Sequence, residues 1–136
     1  MGKNGFIGMA LLCLAFAFNA HGEEKAFRAV PDNDGVQQVD VVGGSYFFTP
    51  KHIVVKANLP VELKVRKEPG AVPHTIVLRA PDAGIDFAVE LDKEPKTVKF
   101  TPTKVGRYQF FCDKKLPFLE SHREKGMFGI LEVVAQ

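Results

Sequence analysis

The sequence predicts an all-β fold, an antiparallel sandwich of about eight short strands. Three observations lead to it. Apolar residues recur at every second position in several short runs, clusters of Gly, Pro, Asn and Asp separate those runs, and no stretch sustains a helical period for the length of an ordinary helix. No internal repeat or low-complexity tract breaks the pattern.

Residues 1–22 read as an address rather than structure. Lys3 supplies a positive start, residues 6–18 form an apolar run interrupted only by glycine, and Ala20-His21-Gly22 offers small residues for a signal peptidase, so cleavage is expected after Gly22. The run is shorter than the roughly twenty apolar residues of a membrane span and is followed by Glu23, Glu24 and Lys25, which argues against a retained anchor. Leu12 stands before Cys13 where a lipid-modified cysteine expects a small residue, so Cys13 reads as an apolar residue lost with the signal. The remainder is one domain's length. Without Lys3 it carries 17 basic and 16 acidic residues, a net of +1, and this gives no electrostatic case for nucleic acid or a membrane surface.

Residues 23–36 mix charge with Pro31, Asn33, Asp34 and Gly35 and read as an extended or poorly ordered lead-in, with the domain proper over residues 37–136. Val39 and Val41 alternate with polar neighbours, Gly43-Gly44 breaks the run, and residues 45–49 are aromatic and β-prone before Pro50. That is strand, turn, strand. Ile53-Val54-Val55 repeats the pattern, and residues 61–66 alternate strictly, as a half-buried strand does. Two prolines and a glycine make residues 67–73 a loop, and His74 stands where the chain resumes as a strand over residues 74–78. Residues 80–84 form a turn cluster; residues 87–91 and 97–100 are strands, followed by a turn at residues 101–106. Tyr108, Phe110 and Cys112 then share one strand face, which should bring the thiol to the rim of an apolar core. Pro117 is placed to open a short helical turn over residues 117–125 that Gly126 would stop, the alternative being an irregular loop held down by Leu116, Phe118 and Leu119. Residues 130–134 close the sandwich as a buried strand.

Behind the export signal the only cysteine is Cys112 and the only methionine is Met127, with His122 between them. An exported protein meets an oxidising compartment, so a lone cysteine is an inert buried thiol, an intermolecular disulfide, a nucleophile or a metal ligand. Thiolate, imidazole and thioether together form a soft donor set, and copper is the metal that such a set suits best.

Three motifs resemble those of the cupredoxins, the small blue-copper domains that include plastocyanin and azurin. They are Pro73-His74-Thr75-Ile76, the strand Gly106-Arg107-Tyr108-Gln109-Phe110-Phe111 leading to Cys112, and His122 followed by Gly126-Met127-Phe128-Gly129-Ile130. The resemblance spans residues 36–134 and implies a cupredoxin-like Greek-key sandwich holding one copper ion, with His74, Cys112 and His122 as equatorial ligands and Met127 as the axial one. It further implies a monomeric, periplasmic or secreted one-electron carrier, not an enzyme, that meets redox partners or copper-handling proteins through an apolar surface of Pro73, Leu116, Pro117, Phe118 and Phe128. Two departures stand out. Nine residues separate Cys112 from His122, more than such proteins usually have, and the frequent asparagine ahead of the first histidine is absent, with Arg66, Lys67 and Glu68 in that region. Hydrogen bonds around the thiolate are therefore expected to differ.

Taken singly, each residue has a plainer reading: His74 and His122 as ordinary loop histidines, Met127 as core filler, Cys112 as an inert thiol. His52 has no partner at ligand spacing and reads as a surface residue, and the Lys114, Lys115, Arg123 and Lys125 cluster, offset by Asp113, Glu120 and Glu124, reads as a solvated rim. A copper-handling protein for tolerance or delivery is the alternative function. A Cys-His hydrolase lacks an orienting residue and an oxyanion hole, and a thiol-disulfide oxidoreductase lacks a resolving cysteine.

Overall fold

A computed structural model describes Gly2 and residues 25–136. Gly2 apart, the expected export signal and its cleavage point lie outside the described residues. In chain order the strands are β1 (Phe27–Arg28), β2 (Gln37–Gly44), β3 (Phe47–Thr49), β4 (His52–Lys56), β5 (Val61–Lys67), β6 (Thr75–Ala80), β7 (Ile85–Glu90), β8 (Lys96–Phe100), β9 (Gly106–Phe111) and β10 (Phe128–Val134), with one 3-10 turn at Pro81–Ala83. One sheet has the order β1-β4-β10-β9-β6-β7 and the other β3-β2-β5-β8. No helix among the described residues is long and apolar enough to cross a membrane.

The strict alternation of residues 61–66 becomes β5, where Val61, Leu63 and Val65 are buried and the residues between them lie nearer to solvent. They pack with Val39 and Val41 of β2 against Ile53, Val55, Ile76, Leu78, Leu131 and Val133 of the facing sheet. Phe48 and Phe110 meet edge to face at 5.3 Å across this core.

The sandwich is as expected; its pairing is more mixed. β4 runs parallel to both β1 and β10, and β2 runs parallel to β5, so the two sheets are mixed rather than purely antiparallel and hold ten strands among the described residues. Alternation fixes which face a residue takes but says nothing of strand direction. The chain crosses from one sheet to the other several times, and such crossings are what allow parallel neighbours. Within residues 25–36, β1 pairs with β4 and Asp32 closes a tight turn by accepting the N–H groups of Asp34 and Val36.

Register then gathers three strand ends. Val77 of β6 faces Phe111 of β9, and Phe111 faces Phe128 of β10. Because both pairs are antiparallel, the start of β6, the end of β9 and the start of β10 coincide. His74, Cys112 and Met127 each sit one residue outside these ends, so strand pairing alone brings all three to one pole. The β2–β3 turn arrives there too, carrying Tyr46.

Candidate metal centre

At this pole one donor atom from each of His74, Cys112 and His122 lies within 4.8 Å of the others, and all three residues are buried. The Cys112 Sγ stands 3.5 Å from His122 Nδ1. Metal–nitrogen and metal–sulfur bonds of roughly 2.0–2.3 Å would separate two ligand atoms on one ion by about 3.5 Å. The Cys112–His122 spacing already fits a shared ion, and the other donor separations, within 4.8 Å, would close further around it. His74 Nδ1 is buried with no hydrogen-bond partner among the described residues. A buried polar atom left unpaired costs about 1–3 kcal/mol, and a metal bond would satisfy it.

Burial, aided by the neighbouring His122 and Lys67, holds His74 below the ordinary imidazole range. Burial also lowers His122, with Lys125 and Lys114 adding to it. Neutral rings result, and a neutral ring offers its lone pair to a metal.

The backbone explains how the long connection between Cys112 and His122 is tolerated. His122 donates its N–H to the Lys114 carbonyl at 2.9 Å, so residues 115–121 leave and return to nearly one point. The extra length is a side excursion, and His122 follows Cys112 in space as closely as a short loop would place it. No helix starts at Pro117; the segment is an irregular loop with a turn from Leu116 to Leu119. Leu116, Phe118 and Leu119, expected to hold such a loop down, are exposed, Phe118 completely so at 104%. Phe118 also sits at φ 63°, a left-handed conformation that a helix does not admit. A single turn does form at residues 121–126, where Ser121 Oγ and N–H both reach the Glu124 carboxylate at 2.7 Å and Glu124 N–H returns to Ser121 Oγ at 3.2 Å. This reciprocal cap rigidifies the turn that presents His122.

Met127 is fully buried in the core cluster at the same pole. Its N–H donates to the His122 carbonyl at 2.9 Å and its carbonyl accepts the Cys112 N–H at 3.0 Å, so the backbone of this one residue ties His122 to Cys112. His52, expected as a surface residue outside the ligand set, is partly exposed and pairs with Glu132 at 2.7 Å.

Two residues at this pole escape a reading of the sequence. Thr75 N–H donates to Cys112 Sγ at 3.3 Å, and its hydroxyl lies 3.6 Å from the same sulfur. Its position directly after His74 is the only signal that could have marked it. Tyr46, at φ 64°, sets its ring edge on to both His122 (5.0 Å) and His74 (6.5 Å), while Lys125 Nζ lies 4.6 Å over that ring. Nothing in the sequence distinguishes Tyr46 from a strand aromatic.

A two-sheet β-sandwich with a buried His-Cys-His cluster at one pole defines a cupredoxin-type domain. The chain belongs to the cupredoxin-like domain family, whose description it matches over residues 7–126, a span that takes in His74, Cys112 and His122. Among solved structures it is similar to the metal binding domain of the Streptococcus pneumoniae D39 Cu(I)-exporting P-type ATPase CopA (24% identity, 83% of this chain and 99% of that one, TM-score 0.61). It is likewise similar to a copper binding protein in its apo form (25% identity, 82% and 100%, TM-score 0.61). Auracyanin from Roseiflexus castenholzii shares the fold at 19% identity, over 71% of this chain and 96% of that one, with a TM-score of 0.56. No curated protein sequence matches significantly.

Proposed function

We propose that the chain is exported after loss of residues 1–22 and that its domain, residues 37–136 behind the lead-in at 23–36, binds one copper ion and carries single electrons. Cys112, His74 and His122 would hold the ion, and the Met127 thioether would be a weaker fourth ligand. The observation that carries this reading is the buried thiol held beside two neutral imidazoles, one of which has an unpaired Nδ1. Copper, when bound, supplies a one-electron Cu(I)/Cu(II) couple.

The chain's own residues then have definite tasks. Cys112 offers a thiolate oriented by the Thr75 N–H, and the histidines offer lone pairs that burial keeps unprotonated. The two Met127 backbone bonds and the Lys114–His122 bond hold the candidate ligands in place before a metal arrives, which would limit rearrangement when the charge changes. His122 lines a cleft of about 280 Å³ between residues 71–73 and residues 114–116, and the exposed Val72 and Leu116 beside it offer a redox partner an apolar approach to the ring.

A second reading, copper handling for tolerance or delivery, draws support from the likeness to the copper binding protein and to the exporter's metal binding domain. Two measurements on the copper-loaded chain separate the readings. A carrier gives fast, reversible one-electron voltammetry and keeps its copper against a moderate chelator; slow electron exchange with rapid copper transfer to the chelator favours handling.

A further inference from the structure

The residue after the cysteine offers the inference that the structure carries furthest. The Thr75 hydroxyl has one proton and two acceptors within reach: Cys112 Sγ at 3.6 Å and the Asp113 carboxylate at 2.5 Å. The shorter contact is that of a charge-assisted O–H···O bond, whereas the longer one is at the edge of contact for sulfur. Asp113 N–H, in turn, donates to the same hydroxyl oxygen at 3.0 Å. With its proton on the carboxylate and one lone pair on the Asp113 amide, the hydroxyl presents only electron density to the sulfur. The backbone N–H of Thr75 remains a donor to that sulfur at 3.3 Å.

We propose that Asp113 is a positioning residue that withholds the Thr75 hydroxyl proton from the Cys112 thiolate and thereby sets the site's reduction potential. The inference rests on the copper-site reading above. A hydrogen bond to a thiolate draws electron density from sulfur and weakens its donation to the oxidised ion more than to the reduced one, so a missing bond favours the oxidised state. Asp113 thus keeps the thiolate electron-rich. It is solvent-exposed, while Thr75 and Cys112 are buried, so truncating it leaves the core untouched.

The experiment is a double-mutant cycle on the copper-loaded chain, read by voltammetry and by the energy of the cysteine-to-copper absorption band. In Asp113→Ala the freed hydroxyl turns to sulfur: the equilibrium for reduction rises up to tenfold, about 59 mV for one electron, and the band moves to higher energy. Thr75→Val alone changes the potential little, because the native hydroxyl gives sulfur no proton. In the Thr75→Val background, Asp113→Ala loses most of its effect on both readouts. Equal shifts in the two backgrounds would mean that the carboxylate acts by its charge alone, and a lowered potential in Thr75→Val would mean that the hydroxyl already donates to sulfur. Either result overturns the proposal while leaving the copper site standing; absence of a cysteine-to-copper band in the native chain overturns the site itself.

Discussion

Gly129 lies in β10 between Phe128 and Ile130, two residues beyond Met127, and β10 is flanked by β4 and β9. A methyl group added there would stand 2.5 Å from the Lys51 carbonyl oxygen and would also overlap the buried Phe110 ring. Carbon needs roughly 3.5 Å from such atoms. Lys51 cannot retreat freely, because its carbonyl accepts the Ile130 N–H at 2.8 Å in the parallel pairing of β4 with β10. Overpacking of this kind costs about 1–3 kcal/mol, and weakening that hydrogen bond adds about 1 kcal/mol. Gly129→Ala should therefore lose about 2–4 kcal/mol. In urea denaturation of the metal-free protein, with a slope of about 1–3 kcal/mol/M for a small domain, the midpoint should fall by at least about 0.7 M. Gly126→Ala is the control: nothing lies within 4 Å of its added methyl, and only the positive φ of 99° resists the change, at about 1–2 kcal/mol. If the Gly129 variant unfolds at the native midpoint, the register that brings the ends of β6, β9 and β10 together is wrong.

Three further outcomes follow from the site. Both histidines titrate below their ordinary value in the folded chain, so the unfolded chain takes up protons first as pH falls. Metal-free stability should be fully present above about pH 6.5 and decline below it, by at most about 2.7 kcal/mol per pH unit for two groups; denaturation midpoints unchanged between pH 7.5 and 5 would contradict this. Ser121→Ala removes the reciprocal cap with Glu124 and should cost about 1 kcal/mol, with faster amide exchange confined to residues 121–126. Exchange spread over the whole sandwich would assign Ser121 a different role. Met127→Leu nearly preserves the buried volume, so the fold should lose less than about 1.5 kcal/mol and copper should stay bound while the potential changes; loss of all copper would make the thioether an essential ligand.

What the sequence revealed depended on how local the signal was. Val61, Leu63 and Val65 announce their buried face by alternation alone, and Tyr108, Phe110 and Cys112 bring a thiol to the end of a strand in the same way. His74 could be placed at a loop-to-strand junction because two prolines and a glycine precede it. The parallel pairing of β4 with β10 could not be read, because direction is set by crossings between sheets that leave no periodic mark. The excursion over residues 115–121 misled because its leucines and charged residues suit a helix, while one long-range bond from His122 to Lys114 decides its path. Thr75 and Tyr46 went unseen for a related reason: threonine and tyrosine are ordinary strand residues, and only the fold places them against the thiol and the imidazoles.

The copper reading requires Cys112 to join His74 and His122 around one ion. Optical and paramagnetic-resonance spectra of the purified chain loaded with one equivalent of Cu(II) test it most directly, with Cys112→Ala measured beside it. An intense visible band in the native chain that vanishes in the variant is the predicted result. A native chain whose spectrum is that of copper held by nitrogen and oxygen alone, unchanged in the variant, would contradict it.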